Sequence, residues 1–159
     1  MNPDNPNAPP QLRSAEAAAR TLGIKLGPVL AVRSPSDLEK AFEGAVHAHA
    51  DGALRMIDAL VFILRKETAA LAIKYRLPVV YPSREDVEAG GLIAYGTNIP
   101  EQFRQAATFV DKILRGAKAA DLPVEQPTKF ELAVNLKTAR ALSLTIPPSL
   151  RLRADLVVE

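Results

Sequence analysis

Residues 77–96 read LPVVYPSREDVEAGGLIAYG, and no other stretch restricts the possible folds as much. LPVVY, 77–81, has a proline near its start and then consecutive β-formers, which suits a buried strand. SREDVEAGG predicts a short helix that starts at Ser83 and stops at Gly90 and Gly91. LIAYG, 92–96, is a second strand. Two strands joined through a helix run parallel, because a tight hairpin turn is not available to them.

The same alternation extends to both sides. A helix over residues 10–22 stops at Gly23, a plausible glycine C-cap. PVLAVR, 28–33, forms a short apolar run suited to a buried strand. SPSDLEKAFEGAV opens with Ser34 as N-cap, Pro35 in the first turn and Asp37 three residues on, a capping-box start. A strand is expected at 52–57 and a helix over 60–75. Ile99, Phe103, Ala106, Val110 and Ile113 recur at steps of three and four, so 99–115 reads as an amphipathic helix ended by Gly116. The tail gives a strand at 130–134, a helix from Asn135, and a last turn or helix after Pro147 and Pro148. The fold class is therefore α/β, a parallel sheet with helices on both faces. The chain opens on a loop and a helix with no strand ahead of them, where such a sheet normally opens with a strand.

Composition excludes several functions. Twenty basic residues against eighteen acidic ones leave a net charge of +2, with no run of like charge to serve as a footprint for nucleic acid. The chain has no cysteine, hence no disulfide, zinc–thiolate site or cysteine nucleophile. His47 and His49 are the only histidines, and on a helix they point about 200° apart, so they do not converge on one metal ion. Glu85, Asp86 and Glu88 crowd the start of a short helix, where acids favour the dipole. There is no GxGxxG, no glycine loop followed by Lys-Ser or Lys-Thr, and no GxSxG. Neither an enzyme nor a cofactor is expected. MNPDNPNAPPQL at the start has no basic segment and no apolar core of a signal peptide.

NPDNP at the start, LPVVYPSREDVEAGGLIAYG in the middle and ILRGAKAADLPVEQPTKFELAVNLKTARALSLTIPPSL at the end carry a resemblance over essentially the whole chain. It resembles the ABC-transporter substrate-binding proteins of the tryptophan/tyrosine type, two-lobed periplasmic binding proteins of type I. The resemblance implies the second lobe of such a protein, with the first lobe and the opening strand missing. It divides the chain into a core at 1–98, a crossing helix and linker at 99–122 that would pack on the other lobe, and a returning strand and helices at 123–159. It implies capture of a small solute such as an amino acid between closing lobes and delivery to an ABC permease, in the periplasm for full-length members. This chain, made as given, would stay in the cytoplasm. The stripe on 99–115, around Phe103, Val110 and Ile113, would then be exposed and favour self-association.

Ligands of such sheets bind beyond the carboxyl ends of the strands, which singles out four residues. Asn7 lies in the loop before the first helix, Asp58 follows the 52–57 strand, Ser83 follows LPVVY, and Tyr95 ends LIAYG. Each has a plainer reading, as a turn residue, as helix caps in the case of Asp58 and Ser83, and as a packing aromatic. Other readings of the same fold class are a flavodoxin-like or receiver-like signalling module and the effector domain of a type I transcription regulator. A receiver needs an acidic cluster that Asp58 alone does not make, and a regulator needs a helix-turn-helix segment.

Overall fold

A computed structural model describes residues 1–159. In chain order the elements are α1 (Ala8–Leu22), α2 (Asp37–His47), β1 (Ala53–Leu54), α3 (Ala59–Ile63), α4 (Arg65–Lys74), β2 (Val79–Tyr81), α5 (Arg84–Glu88), β3 (Ile93–Thr97), α6 (Ile99–Leu114), β4 (Phe130–Asn135), α7 (Leu136–Ala141), α8 (Pro148–Arg153) and β5 (Leu156–Val158). The strands form one five-stranded sheet in the order β1-β2-β3-β4-β5. β1, β2 and β3 are parallel, as the strand–helix–strand repeat requires. β4 runs antiparallel to β3, pairing Ile93–Thr97 with Phe130–Val134, and β5 runs parallel to β4. The sheet is thus α/β and mostly parallel, with one reversal at the β3/β4 seam.

Local chemistry sets the element ends. α1 ends where Gly23 adopts the left-handed conformation at φ 66° and returns its N–H to the last turn, a conformation glycine adopts at least cost. The Asp37 carboxylate accepts hydrogen bonds from the Ser34 and Arg33 N–H groups. That is half of the expected capping box, with regular helix starting at Asp37. The helix expected over 60–75 is broken at Leu64 into α3 and α4. Asn135 ends β4 and caps α7 through Thr138 N–H at 2.9 Å.

The core lies on one face of the sheet. Val79, Tyr81, Ala94 and Ala133 point into it, against Leu38, Phe42 and Ala45 of α2, Val61 of α3, Ala72 of α4 and Val87 of α5. The opposite face carries Leu54, Val80, Tyr95 and Phe130, all exposed. α6 forms as its periodicity predicts and buries none of its residues.

The apolar run expected as a strand at 28–33 is not one of the sheet's strands: its backbone-to-backbone hydrogen bonds go to Met1 alone, and its last N–H, that of Arg33, goes to the Asp37 carboxylate. Strand 52–57 shrinks to two paired residues, because β1 has a partner on one side only. β5 has no counterpart among the sequence-based expectations; Asp155 secures its start by exchanging hydrogen bonds with Leu132.

Candidate functional site

Because β1, β2 and β3 are parallel, the residues that follow them lie along one edge of the sheet. At the β1 end, Asp58 is buried and stands in extended conformation as the N-cap of α3, accepting from Val61 N–H at 3.1 Å. Its other oxygen accepts from the Asn5 amide at 2.7 Å. Burial opposes ionisation of Asp58, but the hydrogen bonds from Asn5 and from the Val61 and Leu60 N–H groups outweigh it and hold the carboxyl below the usual aspartate range. Asn7 joins through the same residue, since its N–H donates to Asn5 Oδ1 at 2.9 Å. The Asn7 side chain makes no cap bond on α1 and is exposed. Gln11 completes this corner, donating to Ile57 O at 3.0 Å and accepting from Ile57 N–H at 2.8 Å.

At the β2 end, Ser83 turns inward. Its hydroxyl donates to Asp86 Oδ2 at 2.7 Å, and the same oxygen takes a hydrogen bond from Arg55 Nη2. Asp86 is 0% exposed and Arg55 8%, so this is a buried ion pair. The Arg55 guanidinium also lies 5.7 Å from the centre of the Tyr81 ring. Burial, then the Asp86 charge, pushes the Tyr81 phenol well above its ordinary value. Arg55 Nε and Nη1, Tyr81 OH and Asp86 Oδ1 have no hydrogen-bond partner within the protein.

At the β3 end the surface is polar. Asn98 caps α6 through Glu101 N–H at 2.7 Å and donates to Glu131 of β4. The Arg84 guanidinium lies 3.8 Å from Glu131 and 3.1 Å from Glu88. A cavity of about 470 Å³, lined only by polar residues and a proline, opens here between α6 and residues 127–129; Asn98, Gln102, Gln105 and Thr128 contribute to it.

The structure therefore links Asn7 and Asp58 through Asn5 and engages the Ser83 hydroxyl with Asp86. Tyr95 is elsewhere. β3 continues to Thr97, so Tyr95 lies inside the strand rather than at its end. It stacks on Phe130, ring centres 5.7 Å apart at 16°, on the open face of the sheet. Sequence reasoning missed Asn5, Arg84, Asn98, Glu131 and the Arg55–Asp86 pair. The pair had a signal: a lone arginine in the apolar stretch GALRMI, and an aspartate three residues after a helix-capping serine.

Solved structures share this architecture. A conserved domain protein from Vibrio cholerae O1 biovar El Tor superimposes with a TM-score of 0.90 at 25% identity, covering 99% of this chain and 52% of the other. An ABC domain from Streptococcus pneumonia in complex with L-Trp gives 0.87 at 22% identity, covering 99% and 54%. CD0873 from Clostridium difficile, a substrate binding protein with adhesive properties in its ligand-free, open form, gives 0.72 at 21% identity, covering 99% and 52%. The chain spans about half the length of these relatives. No curated protein sequence matches it. The family model of the ABC transporter substrate binding proteins matches residues 1–158, and the chain belongs to that family.

Proposed function

We propose that this chain forms one lobe of a solute-binding protein serving an ABC importer, with the solute held along the carboxyl edge of β1–β3. The observation that carries this reading is the family match over residues 1–158. The edge suits a small zwitterion such as an amino acid. It offers the ionised Asp58 at one end and the Arg84 guanidinium at the other, with Asn7, Asn98 and Gln102 as neutral donors and acceptors between and beside them. The Streptococcus relative holds L-Trp, which makes that amino acid the first to try. Ser83 positions Asp86 rather than facing the solute, and Tyr95 with Phe130 offers an apolar platform off the edge.

Residues 99–122 belong with a second lobe in this reading, consistent with a helix that buries nothing here. The work is non-covalent capture and transfer to a membrane permease, without chemistry on the solute, in the periplasm or outside the cell where full-length members of the family act. With one lobe supplying contacts, affinity falls to the millimolar range, about −4 kcal/mol. Titration of the chain with L-tryptophan and a panel of other L-amino acids, followed by backbone NMR, tests this. Shifts centred on Asn7, Asp58, Arg84 and Asn98 are expected. Shifts elsewhere, or none up to ~10 mM, would overturn it.

A further inference from the structure

The turn from β2 into α5 sits directly on the β3/β4 seam. Gly96 pairs with Glu131 across that seam, and the Pro82 carbonyl lies against the Gly96 α-carbon, where no side chain would fit. Ala133, two residues beyond Glu131 on β4, points into the core, so Glu131 stands on the same face of the sheet, the one that carries α5. Two residues after Pro82, Arg84 starts α5 and brings its guanidinium beside Glu131. The contact between them is incomplete. Arg84 gives Nε and Nη2 to Glu88 at 3.3 and 3.1 Å, which leaves Nη1 toward Glu131 Oε2, 3.8 Å away. Glu131 Oε1 accepts from the Asn98 amide. Nη1 and Oε2 therefore face each other across a gap too wide for a hydrogen bond, and neither atom is sealed from solvent.

The pair is short of positive charge. Glu88 and Glu131 flank Arg84, and the field of Glu85 reaches it as well, so one cation stands among three carboxylates. A simple anion that bonds to Nη1 is pushed back by Oε2 beside it. A simple cation bonds to Oε2 and leaves Nη1 unpaired. An α-amino acid carries its ammonium and its carboxylate one carbon apart, a spacing that fits between a donor and an acceptor 3.8 Å from each other. It fills both positions at once with charge-assisted hydrogen bonds and adds no net charge. Asp58, the other acid of this edge, is buried and already accepts from Asn5 and from Val61 N–H, which leaves Glu131 as the acid with an oxygen to spare.

We infer that Glu131 is a specificity-determining residue of this edge. It receives the α-ammonium of the solute while Arg84 Nη1 holds the α-carboxylate, so α-amino acids are selected over carboxylic acids that lack the amine. The inference rests on the reading of this edge as the solute site and names the group that decides which solutes enter it. Glu131 suits the task because it is held: its side chain is 11% exposed, Asn98 occupies one oxygen, and β4 fixes its backbone opposite Gly96. A carboxylate restrained in this way keeps its distance from Arg84 instead of collapsing onto it, and the solute then loses little to reorganisation of the site.

L-tryptophan, indole-3-propionate and tryptamine share one ring and linker and differ in carrying both charges, the carboxylate alone or the ammonium alone. Each is titrated up to ~10 mM into the unaltered chain, Glu131→Gln and Glu88→Gln, with the Arg84 Nε–H and Asn98 side-chain amide signals followed by NMR. Glu131→Gln keeps an acceptor for Asn98, so the fold is expected to hold. The unaltered chain should bind L-tryptophan about tenfold more tightly than indole-3-propionate. Glu131→Gln should bring the two within about twofold of each other, weakening the first and strengthening the second. Glu88→Gln removes the same charge from the other side of Arg84 and should leave the preference in place. A preference that survives Glu131→Gln, or that disappears equally in Glu88→Gln, would overturn the inference while leaving the edge a solute site. Equal binding of L-tryptophan and either single-charge analogue by the unaltered chain would do the same. No shift at Arg84 or Asn98 with any of the three would remove the reading of the edge, and this inference with it.

Discussion

α5 and α6 are both helices that the sequence announces clearly, and they meet opposite fates. α5 is one of the shortest helices, yet Val87 and Asp86 within it are fully buried, and its Val87 carbonyl is tied to the Asn135 amide at 3.2 Å. α6 is the longest helix, with a regular apolar stripe, and Phe103 is 73% exposed. Periodicity reports that a helix has an apolar face; it does not say whether the covering surface is part of the same chain. α5 is bracketed by two strands it packs on, whereas α6 follows the point where the chain leaves the sheet.

The sharpest way to break this comparison is Asp86→Ala. It strands the Arg55 guanidinium in the core, where removing one partner of a buried ion pair costs about 3–5 kcal/mol. Denaturant unfolding should show a large drop in midpoint, and a loss below ~1 kcal/mol would mean that the pair is not buried as described. Asp58→Ala probes the edge beside the core and should cost about 1 kcal/mol, the usual value of a cap. It also carries a pH signature. The folded pKa of Asp58 is depressed, so its contribution is complete above the ordinary aspartate value of ~3.9 and is lost as pH falls through the lower folded value. The substitution should flatten that part of the acid limb of a stability–pH profile, and an unchanged limb would count against the Asn5 contact. The smallest effect on stability belongs to α6. Replacing Phe103, Val110 and Ile113 by serine should change the midpoint by less than ~0.5 kcal/mol each. The same triple variant should lower any self-association seen by light scattering. A large loss of stability instead would show that the stripe is already covered.

How much could be read from the sequence follows the same division. Elements with strong local signals stand within about two residues of their expected ends: α1 with Gly23, β2, α5, β3, α6, and α7 with its Asn135 cap. What was illegible depended on partners distant in sequence. PVLAVR has the residues of a strand, but a ladder needs a neighbour, and only Met1 offers one. The reversal at β3/β4 leaves no mark in either strand, because the alternation of side chains is the same in both directions. β5 is only three residues long, and the residue before it, Asp155, is tied to Leu132 far back in the sequence. At the candidate site, the strand ends lead from the sequence to the edge where Asp58 stands, while Asn5 and Glu131 arrive from remote parts of the chain. Ser83 could be placed from the sequence, but not the direction of its hydroxyl, which the buried Asp86 decides.

The β3/β4 seam has a mechanical consequence. Thr97 and Phe130 face each other across an antiparallel pair, so the chain departs for α6 and returns from it at neighbouring positions, about 5 Å apart. In plan the molecule is a β-hairpin whose turn has been replaced by everything from Asn98 to Lys129. Whatever docks on α6 hangs from two tethers side by side, a ribbon that bends easily across its plane and resists shear within it. Movement of such a load would follow one swinging direction, with Asn98 and Glu131 bonded across the root of the ribbon.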